Sequence, residues 1–307
     1  MYDTIRLVKE GTNYQSFVPS LVSNYKEHIT EDNQYFSGTI GTGQKVFVFN
    51  DKVMFEGSIS KYYLGDNIKS IGRSDTQRAI EHLSDTLQVN FIDSQVKRVD
   101  AGLSIDTQHP PKAYYSLFGV SERYTRNTYK GSLYYRLGQR EKIFYNKLAD
   151  AKAKGMFIPD FLANKNLFRY ELRYKRKLDQ QFNKAEILAS DLYNEDFYMN
   201  LLDNWYKEYL NINKMATSQI NPDEIKTPSD FTNHILKSAI LASGIDISEH
   251  LEQQMNQAKA IGVFEPKDRK YYTRTKAMVN KMLSSGIQSE LIQELDTKFK
   301  NQIQFYR

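Results

Sequence analysis

The chain has 307 residues, of which 40% are hydrophobic and 26% are charged, and its formal net charge is +5. This composition is typical of a globular protein with a proper core, and it excludes an extended disordered chain. No apolar run approaches the roughly 18 residues of a membrane span, and the first residues lack the layout of a signal peptide. The absence of cysteine excludes disulfides, thiolate metal sites and cysteine nucleophiles, and we expect a cytoplasmic protein.

Positive charge is concentrated in one stretch of the chain. Between Ser121 and Leu178, fifteen Lys and Arg residues stand against five Asp and Glu residues. The chain also has 22 tyrosines, many of them beside basic residues. Cations neutralise phosphates and aromatic rings stack on unpaired bases, so the stretch suits nucleic acid. A solvated basic face with tyrosines packed in a sheet explains the same composition.

The first half of the chain is predicted to form strands and one clear helix, which begins at Ser74. Short helices are also expected to begin at Pro110 and Leu148. The predicted strands cover residues 2–9, 34–41, 46–50, 53–58, 96–106, 132–137, 142–145 and 168–175.

After about Lys177, apolar residues recur at helical spacing, through residues 187–209, 231–243, 247–258, 272–283 and 289–299. The pattern therefore predicts an α+β fold in two parts. Residues 1–183 are expected to form an antiparallel sheet with flanking helices, and residues 184–307 an all-α C-terminal domain.

The strand from Arg98 to Asp106 carries two acids on one face. Strand side chains alternate, so the intervening apolar residues point into a core, while Asp100 and Asp106 point the other way with small residues between them. Carboxylates in such a space suit Mg²⁺ or Mn²⁺. His109, three residues beyond Asp106, is a further candidate ligand. The alternative is the ordinary solvent-facing side of an antiparallel sheet.

The strand from Phe168 to Lys175 repeats this alternation. Arg169, Glu171, Arg173 and Lys175 share the face opposite the aromatic residues. Glu171 lies among cations and should be ionised. It is either a metal ligand or one member of a surface ion-pair ladder.

Tyr145 and Lys147 place a phenol and a cation at a predicted strand-to-helix junction. A phenol with a pKa of about 10 is a poor nucleophile at neutral pH. It improves when a metal polarises the phosphate under attack and a cation stabilises the phenolate. The sequence contains no phosphate-binding loop, dinucleotide fingerprint or serine-hydrolase elbow, which disfavours nucleotide and serine hydrolysis.

In their order along the chain, these segments resemble the gene II/gene X family of phage and plasmid replication initiation proteins. The resemblance covers roughly residues 1 to 210 and implies a nickase/relaxase-like fold and rolling-circle replication. One strand of origin DNA would be cut, held as a phosphotyrosine and later rejoined. The matching segments are Tyr2-Asp-Thr-Ile-Arg6, Gly57 to Asn67, Arg98-Val-Asp-Ala-Gly102, a Pro-rich helix start with Tyr114, Ser132-Leu-Tyr-Tyr135, Phe144-Tyr-Asn-Lys147 and Phe168-Arg-Tyr-Glu-Leu-Arg173.

The resemblance implies acidic metal ligands at Asp100, Asp106 and Glu171. The paired-histidine motif of the wider nickase superfamily is absent, which leaves the ligand set open. The family's Tyr-Asp-Lys segment stands here as Tyr145-Asn146-Lys147, with the loss of one acid.

The sequence leaves three tyrosines as candidates for the nucleophile. Tyr145 has the neighbouring lysine, and it is preferred to Tyr134 and Tyr135, which match an upstream tyrosine-bearing strand in more distant plasmid initiators.

The expected partner is single-stranded or extruded origin DNA in the cytoplasm of a bacterial host cell. A guanidinium can contact two phosphate oxygens, which makes the arginines of this region candidate phosphate clamps. The C-terminal helices are open to three roles, namely origin recognition, homodimer formation and recruitment of a host helicase. A non-catalytic DNA-binding regulator and a metal nuclease that uses water are the competing functions. The candidate DNA contacts are Arg98, Arg136, Arg140, Arg169, Arg173, Lys175 and Arg176.

Overall fold

The computed structural model describes residues 1–30, 34–217, 220, 222–243, 245, 247–263, 269–284 and 287–307. Its centre is an antiparallel sheet of ten strands in the order β2-β3-β4-β5-β1-β6-β11-β10-β9-β8, and β7 pairs with β12 in a separate small sheet. The strands are β1 (Tyr2–Glu10), β2 (Ser23–Ile29), β3 (Gln34–Ile40), β4 (Gln44–Val48), β5 (Lys52–Ser58), β6 (Gln95–Asp106), β7 (Phe118–Ser121), β8 (Thr125–Tyr129), β9 (Ser132–Leu137), β10 (Arg140–Asn146), β11 (Leu167–Tyr174) and β12 (Ile212–Lys214).

Helices occur between the strands and make up most of the C-terminal third. Within the described ranges, none is both long and apolar enough to cross a lipid bilayer. The helices are α1 (Ile59–Leu64), α2 (Arg73–Leu87), α3 (Lys112–Tyr115), α4 (Lys147–Ala153), α5 (Leu178–Phe182), α6 (Glu195–Leu210), α7 (Pro228–Ala242), α8 (Ile247–Ala260), α9 (Arg269–Ser284) and α10 (Glu290–Tyr306).

One face of the sheet is buried beneath helices, and its core is strongly aromatic. Tyr170 of β11 lies 4.6 Å from the Trp205 ring of α6, measured between ring centroids, and 6.0 Å from Phe299 of α10. Trp205 and Phe299 also contact each other edge to face. Apolar alternation along β6, β10 and β11 supplies this face, and the burial of large aromatic rings is the main source of its stability.

The opposite face of the sheet carries charged side chains, and many of them reach solvent. Arg6 and Glu56 form an ion pair there, and both side chains are partly exposed. Arg98 joins the same Glu56 from the neighbouring strand. An antiparallel sheet can leave one face to water. We call this surface the open face; it is formed by the outward side chains of β1, β5, β6, β9, β10 and β11.

The predicted α+β class, with an antiparallel sheet and a helical C-terminal region, is confirmed. Several details of the elements differ from expectation, and the short helices expected from Pro110 and Leu148 begin at Lys112 and Lys147. The helix predicted to start at Ser74 begins at Arg73, because the amide of Thr76 already donates to the carbonyl of Gly72. Strands β2, β7, β8 and β12 were not expected. The division at residue 183 stays a prediction, and α6 and α10 share one hydrophobic core with the sheet.

The position of Phe299 in this shared core generates a stability prediction. Replacing Phe299 with Ala should lower the free energy of unfolding by about 3–5 kcal/mol, because the cavity would lie between four aromatic rings. Chemical denaturation measures the change. Phe305→Ala, on the same helix but 80% exposed, is the control and should change stability by no more than about 0.5 kcal/mol. Equal effects of the two substitutions would contradict the packing described.

Candidate active site

Three adjacent strands bring the predicted residues to one patch of the open face. β11 lies between β6 and β10, and the pairing sets Arg169 opposite both Ser104 and Tyr145. The register of a strand fixes the positions of all its outward side chains at once, so this pairing also aligns the other outward residues of the three strands. The residues aligned in this way are Asp100, Gly102, Ser104, Tyr145, Arg169, Glu171 and Arg173.

The carboxylate of Glu171 is the centre of the patch. The Tyr145 hydroxyl donates to Glu171 Oε1 at 2.5 Å, and Arg169 Nε donates to the same oxygen at 2.8 Å. Arg173 Nη2 donates to Oε2 at 2.9 Å. Burial alone would raise the pKa of Glu171, but the two guanidiniums and the phenol hold that pKa well below its usual range. Glu171 is therefore an ionised carboxylate with partners on both oxygens.

Tyr145 is held in its neutral form by this arrangement. Burial of the hydroxyl and the adjacent negative charge of Glu171 raise the pKa of Tyr145 well above its ordinary value. The ring itself lies at the end of β10 and is partly exposed. A phenol hydrogen-bonded to a carboxylate has an acceptor in place for its proton.

Arg169 links Glu171 to the N-terminal strand. Its guanidinium is buried, with Nη2 3.0 Å from Asp3 Oδ2 and Nη1 3.2 Å from the Ser104 hydroxyl. Asp3 also accepts from the Asn67 side chain at 3.2 Å. All three guanidinium nitrogens of Arg169 therefore donate hydrogen bonds, and the fixed guanidinium holds the Glu171 carboxylate in place.

The backbone of Gly102 lies close beneath this pair. A Cβ built on Gly102 would lie 2.7 Å from Glu171 Cγ and 3.0 Å from Arg169 Nη2. Neither side chain can move away freely, because both are buried and hydrogen-bonded. A residue without a side chain is required at this point of β6.

Asp100 forms a second carboxylate beside the first. Arg98 holds both of its oxygens, with Nε 2.9 Å from Oδ1 and Nη2 2.7 Å from Oδ2. Arg173 Nε lies 3.5 Å from Oδ2 and joins Asp100 to Glu171. Burial raises the pKa of Asp100 to about 6, and the neighbouring guanidiniums only partly offset that effect.

Lys147 lies at the first turn of α4 and is buried. Its Nζ donates to Asn67 Oδ1 at 2.8 Å. Burial and the charge of Arg169 lower the pKa of Lys147 to about 8. Asn146, which stands where the family has an acid, caps α4 by accepting from the amide of Ala149 at 3.0 Å. Asp caps helices about as well as Asn, so nothing in the structure explains the change at Asn146.

The two other candidate tyrosines lie on opposite faces of the sheet. Tyr135 is fully buried on the helix side, where its hydroxyl donates to the carbonyl of Gly119 at 2.6 Å. Tyr134 is partly exposed beside β10, and the Arg136 guanidinium lies 4.7 Å from its ring centroid. Only Tyr145 of the three contacts the Glu171 carboxylate in the described structure.

The four predicted metal ligands do not come together. Asp106 lies six residues beyond Asp100 on β6, roughly 20 Å along an extended strand, and pairs with Lys165 at 2.7 Å. His109 is exposed in the following loop. Among the described residues, no three His, Asp or Glu side chains are grouped as metal ligands would be.

The carboxylates that do converge are already held by guanidiniums. Asp100 and Glu171 have a donor on each oxygen, and Asp3 is bound by Arg169 and Asn67. Divalent metals take such oxygens as ligands, so this arrangement does not fit a metal without the loss of ion pairs.

Most of the predicted phosphate contacts lie on the open face. Arg173 is 28% exposed, and Arg136 and Lys175 surround Glu141 at its edge, at 2.9 and 3.2 Å. Arg98 is also partly exposed. Arg173 is connected to Tyr145 through Glu171, whereas Arg136 and Lys175 lie further along the open face, beside Glu141.

The remaining candidates are placed differently. Arg169 is buried and serves Glu171 and Asp3. Arg140 points to the helix side and pairs with Glu208 of α6 at 2.8 Å. Arg176 is exposed in the segment that follows β11.

Sequence reasoning missed Asp3 and Asn67. Asp3 is a buried acid between the buried side chains of Tyr2 and Ile5, and a buried acid indicates a partner elsewhere in the fold. Asn67 lies in the segment before α2 and connects Lys147 to Asp3. A polar loop residue of this kind gives no local signal.

Part of the chain that includes the candidate site matches a known protein family. Residues 13–208 match a family model described as the N-terminal region of the phage replication-associated protein of gene II. The matched range contains β6, β10 and β11, and thus Tyr145 and Glu171. A comparison with curated protein sequences gives no match.

The contact beneath Glu171 can be tested by Gly102→Ala. The added methyl group should push Glu171 and Arg169 apart and lower the free energy of unfolding by about 1–3 kcal/mol. Denaturant titration measures this change. Gly72→Ala is the matched control, because a Cβ there meets no atom within 4 Å, and it should cost at most about 1 kcal/mol as a changed helix cap. A Gly102 variant as stable as the parent would refute the close approach.

Proposed function

Because the chain belongs to the family of the phage gene II replication-associated protein, a family of rolling-circle replication initiators, we propose that it nicks one strand of origin DNA through Tyr145. The hydrogen bond of 2.5 Å between the Tyr145 hydroxyl and Glu171 carries this proposal. It joins a phenol to a proton acceptor among cations that suit a phosphate.

The strand is expected to lie across the open face. Arg98, Arg173 and Lys175 are partly exposed there, and each can neutralise a phosphate. Guanidiniums also bind two phosphate oxygens at once, which would orient the scissile phosphate towards Tyr145.

The chemical step is a transfer of the phosphoryl group to the phenol. Tyr145 Oη forms a bond to phosphorus, and the bond from phosphorus to one deoxyribose oxygen breaks. The phenolic proton passes to Glu171 Oε1, and the released sugar oxygen takes a proton from solvent. One phosphodiester replaces another, so a later attack by a sugar hydroxyl rejoins the strand without ATP.

The pKa of Glu171 presents an obstacle that phosphate binding would relieve. Arg173 is one of the charges that hold this pKa low, and Arg173 is also the more exposed of the two arginines. When a phosphate takes Arg173 as its partner, Glu171 loses a donor and gains proton affinity. The base is then strengthened only when substrate is bound.

The sequence-based prediction of Mg²⁺ or Mn²⁺ stays a prediction. A metal at Asp100 or Glu171 must displace a guanidinium from the carboxylate, and the proposed step involves no metal. Buried Lys147 and Arg169 supply positive charge near the phenol. Roles of the C-terminal helices of residues 184–307 in origin recognition, homodimer formation or helicase recruitment are likewise predictions.

The nucleophile is tested by adduct formation. Full-length protein is incubated with Mn²⁺ and single-stranded oligonucleotides of the origin, and SDS-resistant protein–DNA adducts are measured. Tyr145→Phe should reduce adduct formation by at least about a thousandfold, since it removes the attacking oxygen. Tyr134→Phe, on the same face of the sheet, is the matched control and should retain the adduct.

Peptide mapping of the parent adduct separates attack from mere positioning. We expect the DNA to be attached at Tyr145. Attachment at Tyr134 or Tyr135 would overturn the assignment. Retarded but uncut DNA under every metal condition would favour the non-catalytic regulator, and cutting without an adduct would favour a nuclease that uses water.

The metal prediction is tested by the same assay in EDTA. If Mg²⁺ or Mn²⁺ is required, EDTA abolishes the adduct and either ion restores it, with DNA binding measured in parallel by anisotropy. An adduct formed at an unchanged rate in EDTA contradicts the prediction, and would mean that the guanidiniums suffice to stabilise the phosphate.

A further inference from the structure

A cavity of about 370 Å³ lies at the end of the sheet, next to the candidate active site. Its walls come from the segment before α2, from β6, from the short helix at Asp160–Leu162 and from the last turns of α10. We call it the rim pocket; the residues that matter here are Lys69, Ser70, Ser104, Phe161, Gln302 and Phe305.

The rim pocket is connected by hydrogen bonds to Arg169, which binds Glu171, and to the backbone of Gly102. The Ser104 hydroxyl, which lines the pocket, accepts from Arg169 Nη1 at 3.2 Å. The Ser70 hydroxyl donates to the carbonyl of Gly102 at 2.7 Å. Ser104 therefore lies between the pocket and Arg169, the arginine that binds Glu171. A nucleotide that places its phosphate at Tyr145 has its neighbours within reach of this cavity.

Two aromatic side chains of the rim pocket are exposed without an evident structural purpose. Phe161 is 66% exposed and Phe305 is 80% exposed. Both line the same cavity, although they come from segments far apart in the chain. Exposed rings beside a cationic sheet face are the usual platform on which unpaired bases stack.

The polar groups of the pocket suit the edge of a base. The Ser104 hydroxyl can donate while it accepts from Arg169, and the amide of Gln302 can both donate and accept. Lys69 is exposed at the mouth, where a flanking phosphate would lie. An apolar cavity with a few placed polar groups and a cation at its entrance matches one nucleotide.

We propose that the rim pocket receives a single unpaired nucleobase of the DNA strand, next to the phosphate that meets Tyr145. The base stacks on Phe161 and Phe305, and its edge meets Ser104 and Gln302. The pocket thereby fixes which phosphodiester reaches the phenol. This inference rests on the proposed function, which places a DNA strand across the open face with one phosphate at Tyr145. Binding of the base itself does not require cleavage.

The first test locates the base. Full-length protein is mixed with a short oligothymidylate in which 5-iodouracil replaces one thymine, irradiated, and analysed by fragment mass spectrometry. We expect crosslinks at Phe161 or Phe305. Crosslinks confined to other parts of the chain would overturn the proposal.

The second test measures affinity for the same oligothymidylate by fluorescence anisotropy. The Phe161→Ala, Phe305→Ala double variant should bind about tenfold more weakly, which corresponds to the loss of a base-stacking contact. Phe157→Ala is the matched control, because Phe157 is 81% exposed in the same segment and does not line the pocket. Equal affinity of the double and control variants would refute the proposal.

These measurements are independent of the nicking reaction. If Tyr145→Phe leaves the adduct intact, the proposed nucleophile fails while crosslinks at Phe161 still stand. If the adduct forms at Tyr145 but the crosslinks lie elsewhere and the double variant binds as tightly as the control, only the proposal of a base in the rim pocket is wrong. Thermal unfolding of the double variant, expected to match the parent, separates lost binding from lost folding.

Discussion

The buried carboxylate of Glu171 constrains the middle of this fold. A buried charge costs several kcal/mol unless it is paired and hydrogen-bonded, and removal of one partner typically costs about 3–5 kcal/mol. Here the two oxygens are satisfied by Tyr145, Arg169 and Arg173. Tyr145 belongs to β10, whereas both arginines lie on β11 with Glu171, so the hydrogen bond from the phenol ties β10 to β11 in this register. It also explains why β6 passes beneath it with a glycine, because any side chain at Gly102 would occupy the space of Glu171.

The two faces of the sheet differ in what they contain: the helix side carries the hydrophobic core, and the open face carries the candidate active site. On the helix side, aromatic rings from β11, α6 and α10 pack into one core, which gives the sheet a rigid support. On the open face, ion pairs take the place of apolar contacts, and several cations keep part of their surface in water. Rigid strands hold Tyr145 and Glu171 in fixed relation, as a reaction between two groups requires. The cations at the edge remain free enough to exchange a carboxylate for a phosphate.

That exchange unites the two proposals for this site. A phosphate that draws Arg173 from Glu171 would strengthen the proton acceptor, while a base held in the rim pocket would decide which phosphate arrives. Arg169 is common to both, because it contacts Glu171 on one side and Ser104 of the pocket wall on the other. Binding and chemistry would then be coupled through one buried guanidinium. The coupling needs no movement of the sheet itself.

The sequence by itself determined the fold class and the faces of the central strands, because alternation along β6 and β11 is a local property. It correctly put Asp100 and Glu171 opposite the core. It could not reveal β2, whose polar residues are mostly exposed and carry no alternating pattern. Tertiary structure alone decided that Asp3 and Asn67 join the cluster while Asp106 lies apart. The reason is that strand pairing, which no single segment encodes, sets the distance between residues remote in the chain.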